Sequence, residues 1–158
     1  MAEELTGLCI AELSRRIHEG ALSPVELMEA VMTRTERLDP GLNAFRPLDR
    51  ERALRGAQAA EIALAAGDDR GPLHGIPFAV KDIIDIQGWV TTAGAKALDN
   101  NLAGTDATVV SRLREAGMVL AGKTQTVQFA LGATGINHDH GTPHNPWAAE
   151  HHVPGGSS

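Results

Sequence analysis

Ile76 to Val80 is an apolar run with the length of a buried strand, and Lys81-Asp82 stands at its end. Gly71-Pro-Leu-His-Gly75 leads into it and breaks whatever comes before. A lysine in that place either snorkels to water or stays inside. Burial disfavours an ammonium, and a neutral amine is a general base. Lysine in water titrates near ~10.4, so base chemistry at neutral pH depends on such burial. The bare residues fit a snorkelling lysine, and the sharper reading needs a proton donor. One stands at the far end, where Val153-Pro-Gly-Gly-Ser157-Ser158 is a Gly/Ser-rich turn carrying hydroxyls. A neutral lysine can take a proton from a serine, directly or through a second hydroxyl, in place of a histidine.

Other residues invite chemistry with less support. His138, His140, His144, His151 and His152 crowd one stretch, and His138-Asp139-His140 can put two imidazoles on one side of an extended segment. Zinc takes such ligands. No cysteine or second defined ligand pair accompanies them, so hydrogen-bonded loop histidines and no metal are expected. Gly122-Lys-Thr124 invites a phosphate loop. Gly117 stands upstream, but Met118 to Ala121 read as strand rather than as a loop, so a structural role is expected. Cys9 reads as a packing residue within a helix.

These residues must be positioned by helices and short strands. Leu8, Ile10, Leu13 and Ile17 have helical spacing, with Gly20 as the stop. Ser23-Pro-Val-Glu26 is a capping box with proline at the first helical position. The helix it opens carries Val25, Met28, Val31, Met32, Thr35 and Leu38 on one side and is expected to end at Asp39-Pro40. An alanine-rich helix follows from about Asp49 to Ala66, closed by Gly67, with its charges on a solvated face. Beyond Lys81, the segment 82–88 reads as a loop or bent strand. Thr105 is a candidate cap for a helix over 106–116, with Val109, Val110 and Leu113 inward. Met118 to Ala121 is a second strand. Strand, helix, strand is a right-handed βαβ unit with parallel strands, hence an α/β sheet covered by helices. Ligands bind such sheets at the strands' C-terminal ends, where Lys81 stands. A short helix over 126–130 and then a long aperiodic loop complete the reading.

The whole chain limits the function classes. It has 158 residues, 42% hydrophobic and 22% charged, which is ordinary for a globular protein with a real core. A net charge of −6 argues against a nucleic-acid surface. No apolar run reaches the ~18–20 residues that span a bilayer. Met-Ala-Glu-Glu at the start lacks the basic and apolar regions of a signal peptide, and one cysteine excludes an internal disulfide. A cytoplasmic protein without membrane partners is expected.

Together the motifs resemble the amidase signature family of amide hydrolases. The residues that carry the likeness are G-I-P-F-A-V-K-D at 75–82, G-T-D-A-T-V-V-S-R-L-R-E-A-G at 104–117, G-K-T at 122–124, H-N-P-W at 144–147 and P-G-G-S-S at 154–158. The likeness implies an α/β fold with helices on a mixed, partly parallel sheet, here truncated. Residues 1–70 would form an N-terminal helical segment and 71–158 the first part of the α/β core. It implies that Lys81 is the base and Ser157 the proton relay, with a cis bond at Gly156–Ser157. The nucleophilic serine of the family lies further on, beyond Ser158, so the chain is expected to be an inactive N-terminal fragment. Ser158 is then a hydrogen-bonded turn residue. The family uses no metal or cofactor, acts on a small-molecule amide, and allows a homodimer at full length. The loop after Leu131 borders the acyl pocket in the family.

Two positions depart from the family pattern: Gln125, where asparagine is usual, and Gln128, where glutamate is usual. With Gly135-Ile-Asn-His138, they tilt the reading to a free-standing amide hydrolase. The alternatives are a glutaminase-type A subunit of a tRNA-dependent amidotransferase, which needs protein partners, and a non-enzymatic His-rich metal-binding module.

Overall fold

The computed structural model describes residues 2–153, and Ser157, the 156–157 bond and Ser158 lie outside them. The elements run α1 (Ala2–Leu5), α2 (Ile10–His18), α3 (Pro24–Leu42), α4 (Arg50–Ala65), β1 (Pro77–Lys81), α5 (Thr108–Glu115), β2 (Val119–Thr124), β3 (His144–Asn145) and β4 (Ala148–His152). Single 3-10 turns occupy Lys96–Leu98 and Gln128–Ala130. The α/β architecture expected from the sequence is the one present. β1 and β2 form one sheet and β3 and β4 a second. Val119 N–H donates to the Ile76 carbonyl at 3.0 Å and Asp82 N–H to the Thr124 carbonyl at 3.0 Å. The two strands therefore advance in the same direction, with α5 as the crossover.

The chain divides into two compact units. The first comprises 1–37, 48–79 and 111–122, and its interior is apolar. Met28 and Met32 of α3 pack with Ala53, Ala57 and Ala60 of α4 and with Val119 and Ala121 of β2. Small residues on α4 bring that helix close to the strand. A Cβ on Gly56 would meet Val119 Cγ1 at 3.0 Å. Leu13 and Ile17 of α2 join Leu22, Leu27 and Ile76 in a second cluster. Full burial of each such side chain contributes about 1.5–3 kcal/mol.

Local sequence signals explain most helix ends. Ser23 Oγ accepts from Glu26 N at 3.3 Å while Glu26 Oε2 accepts from Ser23 N at 3.0 Å, the reciprocal capping box. Asp49 caps α4 by accepting from Arg52 N at 2.9 Å. Four expectations fail. α3 continues through Pro40, whose fixed φ suits a helix and whose missing N–H forfeits one bond in the last turn. The stop is Asn43, at φ 50°, the left-handed residue that closes helices. Cys9 caps α2 by position, without a side-chain cap bond, and is exposed rather than a buried packing residue. α5 starts at Thr108 rather than beside Thr105, and Val109 is exposed while Val110 alone is fully buried. The stretch after Leu131 is not an unbroken loop, because β3 and β4 pair antiparallel there, His144 opposite His152.

The second unit comprises 38–47, 80–110 and 123–153 of the described residues. Its buried apolar residues are few and small: Val80, Ile86, Ala95, Ala103, Val110 and Val127. Asp82, Thr91, Thr92, Lys123, Gln125, Thr126 and Asn137 are buried beside them. No helix of the described residues is long and apolar enough to cross a membrane.

Candidate active site

Along β1 the side chains alternate. Ile76, Phe78 and Val80 are buried, and so is Asp82 just past the strand, while Lys81 belongs to the opposite series and is half-buried. The same holds for β2, where Val119, Ala121 and Lys123 are buried. Each strand thus ends its buried series in a charge. Parallel pairing sets the two charges side by side, with Lys123 Nζ 2.7 Å from Asp82 Oδ1. Both side chains are almost wholly enclosed, at 2% and 1% exposure.

The pair is saturated with hydrogen bonds. The Lys123 ammonium also donates to the Val90 carbonyl at 3.0 Å and to Thr91 Oγ1 at 2.8 Å. All three protons of a lysine ammonium are then used. Asp82 accepts from the Thr92 hydroxyl and from Thr92 N at 3.3 Å. Arg46 adds a second cation, its Nε 3.4 Å from Asp82 Oδ2. The Arg46 guanidinium lies 4.0 Å from Asp99, and His140 Nε2 lies 3.2 Å from the same carboxylate. The charges alternate from Lys123 through Asp82 and Arg46 to Asp99.

Lys81 is left outside this network. Among the described residues its amine has no ion-pair or hydrogen-bond partner. Its carbonyl accepts from Ile83 N at 2.8 Å and Ile84 N at 3.0 Å, so the backbone turns directly behind it. Asp82 therefore turns away from Lys81, as strand alternation requires. Ser157, the other candidate, lies outside the described residues.

Asn137 binds the surrounding loops together. Its Nδ2 donates to the Gly94 carbonyl at 2.8 Å and the Thr126 carbonyl at 2.7 Å, and its Oδ1 accepts from Asp139 N and His140 N, each at 2.8 Å. Gly94 has φ +72° and no room for a side chain, since a Cβ would meet the Thr126 carbonyl at 2.6 Å. Three nearby residues other than glycine also have positive φ: Ala93 at 49°, Phe129 at 55° and Ala130 at 54°. Such conformations cost of order 1–3 kcal/mol each and persist where their surroundings over-determine them. Here Phe129 N–H donates to the Ala93 carbonyl at 2.6 Å. The short helix expected over 126–130 is this strained 3-10 turn.

The two departures from the family pattern have local partners. Gln128 Nε2 donates to Asp139 Oδ2 at 2.9 Å, where a glutamate would face a carboxylate. Asp139 also accepts from Lys96 N, and that bond, followed by the Gln128 amide, holds its carboxyl below the usual range. Gln125 Nε2 reaches Asn43 Oδ1 at 3.4 Å and the His140 carbonyl at 3.3 Å. His138 is exposed, His140 faces Asp99, and no group of three or more metal-ligating side chains occurs among the described residues.

Sequence reasoning left Lys123 as merely structural and gave Asp82 no partner. The signal was present: two buried series, one after each strand of a βαβ unit, both end in an ionisable residue of opposite sign.

A parallel βαβ unit with Lys81 at one strand end and its neighbours locked in a polar interior makes this an α/β fold. The family model named Amidase matches residues 26–158, and the chain belongs to that family. It is 46% identical over 151 residues to the A subunit of glutamyl-tRNA(Gln) amidotransferase from Pseudomonas entomophila, covering 96% of this chain and 31% of that protein. Native peptide amidase from Stenotrophomonas maltophilia matches with a TM-score of 0.87 at 35% identity, over 94% of this chain and 32% of that one. A structure described as a vestigial protein complex bearing on the origins of an s-triazine catabolic enzyme matches with a TM-score of 0.89 at 34% identity, over 95% of this chain and 33% of that one. The chain spans about a third of the length of these relatives.

Proposed function

We propose that the protein is an amidase, converting a carboxylic acid amide to the acid and ammonia or an amine, with Lys81 as base and Ser157 as relay. A nucleophilic serine hydroxyl, placed by the family likeness beyond residue 158, attacks the amide carbonyl. Its proton passes to Ser157 as the Ser157 proton passes to Lys81. The Lys81 ammonium returns a proton to the departing nitrogen through the same relay, leaving an acyl-serine. Water then attacks the ester, a proton again passing to the amine, and acid and free serine result. The observation that carries this reading is Lys81 itself, half-buried at the strand's C-terminal end with no counter-ion among the described residues.

Release of ammonia from small primary amides by the full-length protein tests the proposal. Lys81→Ala and Ser157→Ala should each remove most turnover, and wild-type turnover in either would refute that residue's role. The present chain alone should release nothing above background. A burst of acylation from an activated ester, lost on Ser158→Ala, would instead make Ser158 the nucleophile.

A second reading has its own support. The relative from Pseudomonas entomophila and another from Geobacter metallireducens, 44% identical over 155 residues, both bear the name of the glutamyl-tRNA(Gln) amidotransferase A subunit. On that reading the amide is glutamine and the ammonia is passed on within a complex of subunits. Turnover by the full-length protein without partners favours the free-standing amidase, and strict dependence on added subunits favours the amidotransferase. A small-molecule amide, no nucleic acid bound by this chain itself, and a full-length homodimer belong to the first reading.

A further inference from the structure

We propose that Asp82 and Lys123 form a positioning pair for Lys81: they fix the end of β1 and keep the neighbouring carboxylate off its amine. The inference rests on the reading of Lys81 as the base. Its ground is the placement of the pair. Two charges with 2% and 1% exposure are an expensive way to stabilise a fold. The effective penalty for taking each ion from water is several kcal/mol, and well-packed apolar residues in their place are often as stable. A pair kept on such terms is explained by what it orients.

Its neighbours leave it one arrangement. Lys123 is held at three points, by Asp82, the Val90 carbonyl and Thr91 Oγ1. Asp82 is held by Lys123 and by the hydroxyl and amide of Thr92, with Arg46 Nε at 3.4 Å. Its backbone N–H is bonded to the Thr124 carbonyl at 3.0 Å. The residue after Lys81 is therefore fixed through both backbone and side chain. The turn that closes on the Lys81 carbonyl fixes the residue itself. The charged groups around Asp82 are Lys123, Arg46 and, through Arg46, Asp99, against which the His140 imidazole lies. With its carboxylate so engaged, Asp82 is no counter-ion for Lys81.

A role confined to stability and a role in positioning separate in the full-length enzyme. Lys123→Met alone strands a buried carboxylate and should lower Tm sharply. The double variant Asp82→Asn with Lys123→Met removes both charges and should recover most of that Tm. On the present proposal its kcat stays down by about 10²-fold, the effect of a displacement near 1 Å, while KM changes little. Thr92→Val removes at constant volume the hydroxyl that donates to Asp82 and accepts from Gly94 N at 3.1 Å, and it should lower kcat by a larger factor than Asn137→Ala, which frees the Gly94 carbonyl instead, at a comparable loss of Tm. Wild-type kcat in a folded double variant, or in Thr92→Val should the double variant not fold, overturns the proposal. Lys81→Met separates this from the reading beneath it. If Lys81→Met is inactive and the double variant is fully active, only the pair's role is lost. If Lys81→Met is active, the base assignment itself is lost.

Discussion

The two units bury different kinds of residue. In the first, methionine, leucine, isoleucine and alanine from α2, α3, α4 and the strands fill the interior, and Ser14 and His74 are its buried polar residues among those described. Its arginine–carboxylate pairs lie towards the surface, as between Arg15 and Glu12 at 2.8 Å or Arg50 and Glu36 at 2.9 Å. In the second unit, a charge pair, three threonines, a glutamine and an asparagine occupy the interior. The first pattern tolerates substitution by volume, because apolar packing has little direction. The second is directional, because each buried donor and acceptor needs its partner. Precision at one lysine is what the second pattern can supply and the first cannot.

That contrast can be broken by substitution. The largest effect expected is from Lys123→Met, which leaves Asp82 without its ammonium and should cost about 3–5 kcal/mol in urea melts. Removing both charges should return most of it, so the two single losses should be strongly non-additive. Additive losses would mean that the pair is not the coupled unit described. Met32→Ala in the first unit should cost about 2–5 kcal/mol by leaving a cavity, and it should leave the kcat of the full-length protein near wild type. A Met32→Ala enzyme as crippled as the double variant would erase the distinction between the units.

Smaller effects sharpen it. Gln128→Glu sets a second carboxylate against Asp139 and forfeits the amide bond at 2.9 Å. The variant should melt lower than wild type at pH 7, and the gap should narrow on acidification as the carboxylates protonate. A gap that widens with acid would show that the Gln128–Asp139 contact is not the cause.

Two histidines of the first unit give opposite pH signs. Burial, and then the Arg70 cation, hold His74 below its usual range. Its contribution is present above the unfolded value of ~6.5 and is lost as pH falls through the folded value. The Ser14 carbonyl, at 2.7 Å, and then Asp69 raise His18. Its contribution is present below ~6.5 and is lost as pH rises through its folded value. Melting temperatures between pH 5 and 8 should therefore lose an acid-side drop in His74→Asn and an alkaline-side drop in His18→Gln. The reverse assignment would contradict both environments.

The sequence showed the first unit more fully than the second, for physical reasons. Capping at Ser23, the Asp49 cap and the alanine face of α4 are set by neighbours in the chain. The βαβ unit was legible because strand length and helical period are local. Pro40 misled because proline ends a helix only where its missing N–H and ring cannot be accommodated, and the last turn accommodates both. Val109 misled because α5 begins later than Thr105 suggested. The place of Lys81 at the end of a strand was legible from the apolar run before it, and its role as base remains a proposal. The Asp82–Lys123 bond was not drawn, because it joins residues that only the pairing of β1 with β2 brings together. The hairpin of β3 and β4 escaped because two-residue and five-residue strands carry too little periodicity.

The central claim is that Lys81 acts as a proton acceptor, and Lys81→Arg tests it most directly. Arginine keeps the positive charge and the length but cannot be deprotonated in a protein. Turnover of a small amide by the full-length enzyme should be as low in Lys81→Arg as in Lys81→Ala at every pH tried. Turnover near wild type in Lys81→Arg would contradict the base assignment and make Lys81 a solvated lysine at the end of a strand.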